Sequence, residues 1–283
     1  MKYLRYGIKF YRLLLILLSM PFILAEYFRR RSGEEYGVGF LPKLVLAVKI
    51  YRNNKKIAST SNYLEHFVMA TRILNIPKSI EGCVVECGCY KGGSSANLSL
   101  ICAFCNRQLE VFDSFEGLPQ PSEHDKAHII LDTHEVHTYS KGAWYASLEE
   151  VKRNISRYGK ISVCNFHVGY FDNTLPKFKK KCAFIFLDVD LRDSLETCLR
   201  YLWPLLQDGC YLFTHEAPHL EIASLFFDKE WWHKNVNCNP PGLIGAGSGL
   251  GLVPESGAFR SAIGYTVKNP QFLNFTEIPQ IGI

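Results

Sequence analysis

The sequence predicts an α/β fold with a doubly wound, mostly parallel sheet, preceded by a membrane-associating N-terminal helix. Short apolar runs alternate along the chain with amphipathic stretches of helical period, which is typical of this fold class. One apolar run, 83–87, breaks into a glycine-rich turn that opens a helix. The basic and apolar first 31 residues predict the membrane-associating helix.

The N-terminal segment has the composition of an interfacial helix. Arg5, Lys9 and Arg12 share one helical face, and a mostly apolar run, 13–25, follows them. This run is shorter than the roughly 20 residues that span a bilayer as a helix. We therefore expect association with the cytoplasmic face of a membrane, either peripheral or through a single anchor. A signal peptide ending near Ala25, or a helix packed on the domain, stays open.

The chain divides at residues 31, 62 and 227. Residues 1–31 are the predicted anchor, and 32–62 are an amphipathic segment and linker whose stretch 41–51 faces either the membrane or the domain. Residues 63–227 form the α/β domain, and 228–283 are an extension that completes the domain or its substrate side. The net charge of +5 comes from the first 31 residues, so the body lacks the basic surface that nucleic-acid binding needs.

Five apolar runs predict the strands of the sheet. The run 183–187 is continuously apolar, as expected of a strand buried on both faces of a parallel sheet. The predicted strands are 83–87, 109–113, 162–168, 183–187 and 209–214. Helical periodicity fills the intervals, with predicted helices at 64–74, 94–105, 145–158 and 194–206. Ten cysteines lie within apolar runs, which favours reduced, buried thiols over zinc ligands.

Polar residues end each predicted strand. Right-handed crossovers place the carboxyl ends of parallel strands at one edge of the sheet, so we expect these residues to meet there. They are Glu86, Asp113, the segment 169–173, the pair Asp188 and Asp190, and the pair His215 and Glu216. The sequence therefore predicts a site at this edge.

The first turn indicates which cofactor this edge binds. Gly88 and Gly92 allow backbone to approach a small ligand, but the turn lacks the G-x-G-x-x-G pattern that cradles a diphosphate. Asp113, at the tip of the second strand, is placed to accept hydrogen bonds from ribose hydroxyls. A ribose-binding acid without a diphosphate cradle favours S-adenosylmethionine over NAD or ATP. Tyr170 and Phe171 are candidates for stacking on adenine.

Five sequence blocks in this order resemble the macrocin O-methyltransferase (TylF-type) family over about residues 64–218. They are 85–93, the Asp-Ser-Phe-Glu-Gly-Leu-Pro block at 113–119, 147–151, 169–176 and 187–190. Members of that family are S-adenosylmethionine-dependent and methylate hydroxyls, notably on sugars of natural products, with a magnesium ion. The resemblance implies that Glu86, Gly88, Asp113 and Ser114 contact the cofactor, with Tyr170 near its adenine.

The metal site is where the chain departs from this family. The resemblance implies a metal on Asp188 and on an Asp-Asp pair after the next strand, but His215 and Glu216 stand in place of that pair. We expect a divalent metal on Asp188, His215 and Glu216. Its identity stays open because a histidine ligand shifts preference away from magnesium, and loss of metal dependence is an alternative.

The segment 119–144 is long and rich in histidine, as expected of an active-site lid. By alignment with the histidine-bearing lid of the family, His134 or His137 is the candidate catalytic base, acting beside Asp188. The glycine-rich run 242–251 follows two prolines and predicts a loop on the substrate side.

These patterns together predict an S-adenosylmethionine-dependent, metal-assisted O-methyltransferase. The expected acceptor is a hydroxyl of a sugar, a glycolipid or another polyol, including lipid-linked forms. Two alternatives stay open: an inactive, membrane-tethered protein that binds S-adenosylmethionine, and a metal-dependent glycosyltransferase that uses the Asp-x-Asp segment 188–190. Assembly into a homo-oligomer is also open.

Overall fold

The computed structural model describes residue 14 and residues 20–130, 136–244, 253–255, 258–260 and 263–269. The strands are β1 (Cys83–Cys87), β2 (Leu109–Asp113), β3 (Ala127–Ile129), β4 (Val136–Thr138), β5 (Cys164–Val168), β6 (Cys182–Leu187), β7 (Leu206–Thr214), β8 (Val253–Glu255), β9 (Ala258–Arg260) and β10 (Gly264–Val267). The α-helices are α1 (20–28), α2 (Phe40–Lys56), α3 (Tyr63–Leu74), α4 (Gly93–Phe104), α5 (Leu148–Tyr158), α6 (Phe171–Thr174), α7 (Arg192–Leu202), α8 (Leu220–Leu225) and α9 (Lys229–Val236).

Six of the described strands form the central sheet, in the order β10-β7-β6-β1-β2-β5. The five strands from β7 to β5 are parallel, and β10 pairs with β7 in the antiparallel direction. Every residue of β1 and β6 is buried, because these strands lie in the middle of the sheet with helices on their flanks. The predicted mostly parallel sheet is confirmed, and β10 adds part of the C-terminal extension to it.

The predicted and observed elements differ mainly at the ends. The bounds of β1 and β2 match the prediction, whereas β7 starts at Leu206, three residues before the predicted start. The hairpin of β3 and β4 lies inside the predicted lid, where the sequence shows no strand pattern. All ten cysteines are free thiols and eight of them are buried, as their apolar surroundings predict.

The helix α1 packs on the domain over its described length. Tyr27 is fully buried and its hydroxyl donates a 2.9 Å hydrogen bond to the carbonyl of Lys43 in α2. The rings of Phe28 and Phe40 lie 5.1 Å apart. Residues 20–28 thus fit the alternative of a helix packed on the domain, and a membrane-associating role is not shown. Among the described residues, no helix combines the length and hydropathy needed to cross a membrane.

Candidate active site

The carboxyl ends of β1, β2, β5, β6 and β7 meet at one edge of the sheet, as predicted. The backbone ladder continues past the strand ends there. The Asp188 N–H donates to the Cys87 carbonyl and the His215 N–H donates to the Leu187 carbonyl, both at 2.9 Å. The polar side chains that follow these strands are therefore neighbours in space.

The first turn needs its glycines because another backbone segment touches it. Gly88 and Gly92 have φ of 82° and 78°, in the left-handed region that favours glycine. A Cβ on Gly88 would lie 1.8 Å from the carbonyl oxygen of Asp188. Tyr90, between the two glycines, has φ of 44°, so the strain of the turn is concentrated at the predicted cofactor edge.

Glu86 lies fully buried beneath this turn. Its Oε2 accepts a hydrogen bond from the Ser95 hydroxyl, while Oε1 has no hydrogen-bond partner among the residues that the structure describes. Burial raises the pKa of Glu86 to about 8, despite the lowering effect of hydrogen bonds from Ser94 and Ser95. A buried carboxyl oxygen without a partner is rare in folded proteins, and it fits a polar ligand at this edge.

Asp113 holds two backbone segments together. Its Oδ2 accepts a 2.8 Å hydrogen bond from the Cys89 N–H of the first turn, and Oδ1 accepts a 2.7 Å bond from the Phe115 N–H. Each oxygen keeps a further lone pair for a ligand. The Ser114 hydroxyl donates to the Gly117 carbonyl at 2.8 Å, so it shapes its own turn. Tyr170 precedes α6, and its hydroxyl lies beside the carboxylate of Glu116, which belongs to the turn of Ser114.

His215 lies between two carboxylates. Its Nδ1 is 3.4 Å from Oδ1 of Asp188, and its Nε2 is 3.5 Å from Oε2 of Glu65. Burial by itself would lower the pKa of His215, but the carboxylates of Asp188 and Glu65 outweigh it and raise the pKa well above its usual value. His215 is therefore placed to pair with both carboxylates through its two ring nitrogens.

Both carboxylate oxygens of Glu216 accept hydrogen bonds from other groups of the protein. Its Oε1 accepts hydrogen bonds from the N–H groups of Val189 and Asp190, at 2.7 and 3.0 Å. Its Oε2 accepts a 2.6 Å bond from the Thr214 hydroxyl. Glu216 thus fixes the turn after β6.

These contacts do not fit a divalent metal on Asp188, His215 and Glu216. The second oxygen of Asp188 accepts from the Thr60 hydroxyl at 3.3 Å, and both ring nitrogens of His215 face carboxylates. No group of three or more His, Cys, Asp or Glu within the described ranges is arranged to hold a metal ion. The metal prediction finds no support here, because these side chains already have partners within the protein.

A cavity of about 400 Å³ opens at this edge beside Asp188. Strand β4 and the Tyr139 that follows it form one wall, and His137 of this strand lines the cavity. The ring centroids of His137 and His219 are 5.5 Å apart, and His219 Nδ1 lies 3.3 Å from the Tyr139 hydroxyl. Burial and the neighbouring histidines lower the pKa of His219 to about 3, so its imidazole is neutral. His134 and most of the glycine-rich run lie outside the described residues.

Several residues at this cavity or beside His215 are not among the predicted site residues, including Thr60, Glu65, Tyr139, Trp144 and His219. Glu65 completes a capping box with Asn62 at the start of α3. This local role accounts for an acid at position 65, so the sequence gives no reason to place it in the site. Trp144 has φ of 57° and its ring lies 5.5 Å from that of Tyr90. The contact of Glu65 with His215 and that of Trp144 with Tyr90 leave no local sequence signal, because each joins segments far apart in the chain.

A family model described as Macrocin-O-methyltransferase (TylF) matches residues 61–226. Among solved structures, the O-methyltransferase NovP is similar at 18% identity, with 80% of this chain and 98% of that chain covered and a TM-score of 0.59. The calicheamicin methyltransferase CalS11 is similar at 14% identity, with 80% and 92% covered and a TM-score of 0.51. No match was found among curated proteins. At these identities the two structures show the fold, whereas the family model spans more than half of the chain. The chain therefore belongs to the macrocin O-methyltransferase family and is an S-adenosylmethionine-dependent O-methyltransferase.

Proposed function

We propose that this enzyme methylates a hydroxyl of a sugar or another polyhydroxylated natural product, free or lipid-linked. The observation that carries the proposal is the cavity that His137 and Asp188 line together at the carboxyl edge of the sheet. Its volume of about 400 Å³ suits a small ligand, and its lining mixes hydrogen-bonding groups with the ring of Trp144. Such a lining complements a sugar, which has hydroxyls at its rim and an apolar C–H face.

The cofactor roles follow from the same edge. Oε1 of Glu86, buried without a described partner, is proposed to accept hydrogen bonds from the ligand. Asp113 offers its remaining lone pairs to the ribose, and Tyr170 lies beside the adenine. Gly88 and Gly92 let the first turn approach the ligand. Ser114 is proposed to act through the shape of its turn.

The residues lining the cavity supply orientation and proton transfer. When bound, S-adenosylmethionine would supply the electrophilic methyl group that the acceptor oxygen takes, and S-adenosylhomocysteine would be the leaving group. Asp188 accepts a hydrogen bond from the acceptor and orients it. The imidazole of His137 takes the hydroxyl proton. We assign this step to His137 because the Nδ1 atom of His219 already lies against the Tyr139 hydroxyl.

Variants of these residues test the proposal. With tritiated-methyl S-adenosylmethionine and glycan or lipid extracts, His137→Ala and Asp188→Asn should lower kcat by about 10²–10⁴-fold. Cofactor affinity, measured by calorimetry, should stay unchanged. His124→Ala, at an exposed position in the same lid, is the matched control and should retain wild-type turnover.

The same experiment separates the alternatives. If no extract accepts the tritiated methyl group while cofactor binding is intact, the alternative of an inactive binding protein is favoured. Full turnover by His137→Ala would assign the proton to another group. The glycosyltransferase alternative is disfavoured by the family match, and binding of a nucleotide sugar in place of S-adenosylmethionine would revive it.

A further inference from the structure

Helix α2 has one face that packs on the domain and one that faces outward. Leu46 and Ile50 are almost fully buried, and α2 contacts both α3 and α4. Six large apolar side chains point outward, with exposed fractions from 42% to 70%: Phe40, Leu41, Leu44, Val45, Val48 and Tyr51. A cluster of exposed apolar residues of this size indicates a binding surface, because isolated apolar residues are the rule on protein surfaces.

Buried polar contacts fix the orientation of this helix. Lys43 is buried, and its Nζ donates a 2.8 Å hydrogen bond to the Arg29 carbonyl. Asn53, one turn from the other end, donates to Oδ1 of Asn97 and to the Tyr158 carbonyl. The outward direction of the apolar side chains is therefore built into the fold.

The charges on the outward side are all positive. Lys49, Arg52, Lys55 and Lys56 are exposed, and the helix contains no Asp or Glu. We call these four residues and the six apolar ones the α2 face. Apolar residues beside lysine and arginine are the composition of helices that lie in the interface of an anionic bilayer.

An apolar groove continues the α2 face onto α4. A cavity of about 200 Å³ opens between Val45 of α2 and the α4 residues Leu100 and Phe104, with Lys49 and Lys160 in its lining. An apolar groove bordered by two ammonium groups suits a phospholipid, with an acyl chain in the groove and the phosphate beside the ammonium groups.

We propose that the α2 face docks on an anionic lipid bilayer. The apolar side chains enter the boundary between headgroups and acyl chains, and the four cations contact lipid phosphates. A second copy of the chain is the weaker occupant, because a self-complementary interface would bring these cations together without acids to pair with them. Since anionic lipids are enriched in the cytoplasmic leaflet, the proposal places the enzyme at the cytoplasmic face of a membrane.

Vesicle binding by the full chain tests this proposal. Wild-type protein should bind phosphatidylcholine vesicles that contain phosphatidylglycerol more tightly than vesicles of phosphatidylcholine alone. The double variant Leu44→Glu/Val48→Glu should lower the partition coefficient at least about tenfold. Lys55→Glu/Lys56→Glu should remove most of the preference for anionic vesicles. Phe227→Glu, at an exposed apolar position outside the α2 face, should bind as wild type.

Three results would overturn the proposal. One is no wild-type binding to anionic vesicles, and another is equal binding by Leu44→Glu/Val48→Glu. The third is a wild-type oligomer, seen by light scattering, that this variant dissociates, since a second copy would then cover the face. The variants change exposed side chains, so thermal melting should match wild type. Vesicle binding does not require methyl transfer, so the result stands apart from the proposed function.

Discussion

Replacing Glu86 by glutamine tests whether this buried acid is held ready for a ligand. Glutamine keeps the shape of the side chain and removes its ionisation. The ordinary pKa of 4.5 is raised to about 8, first because of burial and then because of the nearby carboxylates of Asp188 and Asp113. The wild-type protein should therefore lose stability as the pH rises through this interval, and Glu86→Gln should not.

The sign follows from proton binding in the two states. Between pH 4.5 and about 8, the unfolded carboxyl has released its proton while Glu86 in the folded protein retains it. Each pH unit in this window lowers the free energy of unfolding by about 1.4 kcal/mol. From about pH 5 to about pH 8 the upper bound is about 4 kcal/mol, so Glu86→Gln should gain about 2–4 kcal/mol over wild type across the window.

Urea unfolding of both proteins at several pH values measures this difference. Glu110→Gln is the matched control, because Glu110 is also a buried acid but bonds to His167 and Lys180, which lower its pKa despite burial. Its stabilising contribution is complete above the ordinary pKa, so this variant should be destabilised by a nearly constant amount over the window. Parallel stability curves for wild type and Glu86→Gln would refute the reasoning.

Glu86→Gln should also bind S-adenosylmethionine about tenfold to hundredfold more weakly.

Three further predictions concern the rest of the edge. Because both ring nitrogens of His215 face carboxylates and Glu216 is bound to backbone N–H groups, turnover should be unchanged after EDTA treatment; activity that EDTA removes and a divalent metal restores would contradict this. Gly88→Ala should lower the free energy of unfolding by at least about 3 kcal/mol, because its Cβ meets a backbone carbonyl at positive φ. Gly39→Ala, which adds a Cβ in open space at negative φ, should cost less than about 1 kcal/mol in the same urea assay. Trp144→Ala should raise the KM for the acceptor about tenfold and leave the affinity for S-adenosylmethionine unchanged, and an unchanged KM would exclude Trp144 from the acceptor site.

Local patterns predict most of the sheet and less of its surroundings. The run that became β6 is continuously apolar and buried on both faces, so its composition alone marks it as a central strand. The hairpin of β3 and β4 has strands of three residues, too short to show a period. Strand β10 is stabilised by pairing with the edge of β7, and no local sequence pattern predicts such a pairing.

The sequence by itself determined the parallel sheet, the family and the set of acids at its carboxyl edge, because strand burial and strand-end residues are local properties. Only the tertiary structure decided what these residues do to one another. It placed Glu65, from the helix before the first strand, against His215, 150 residues later in the chain, and bound Glu216 to the turn after β6. Charge compensation depends on distances of a few ångströms between segments that the fold brings together, and such distances are set by packing.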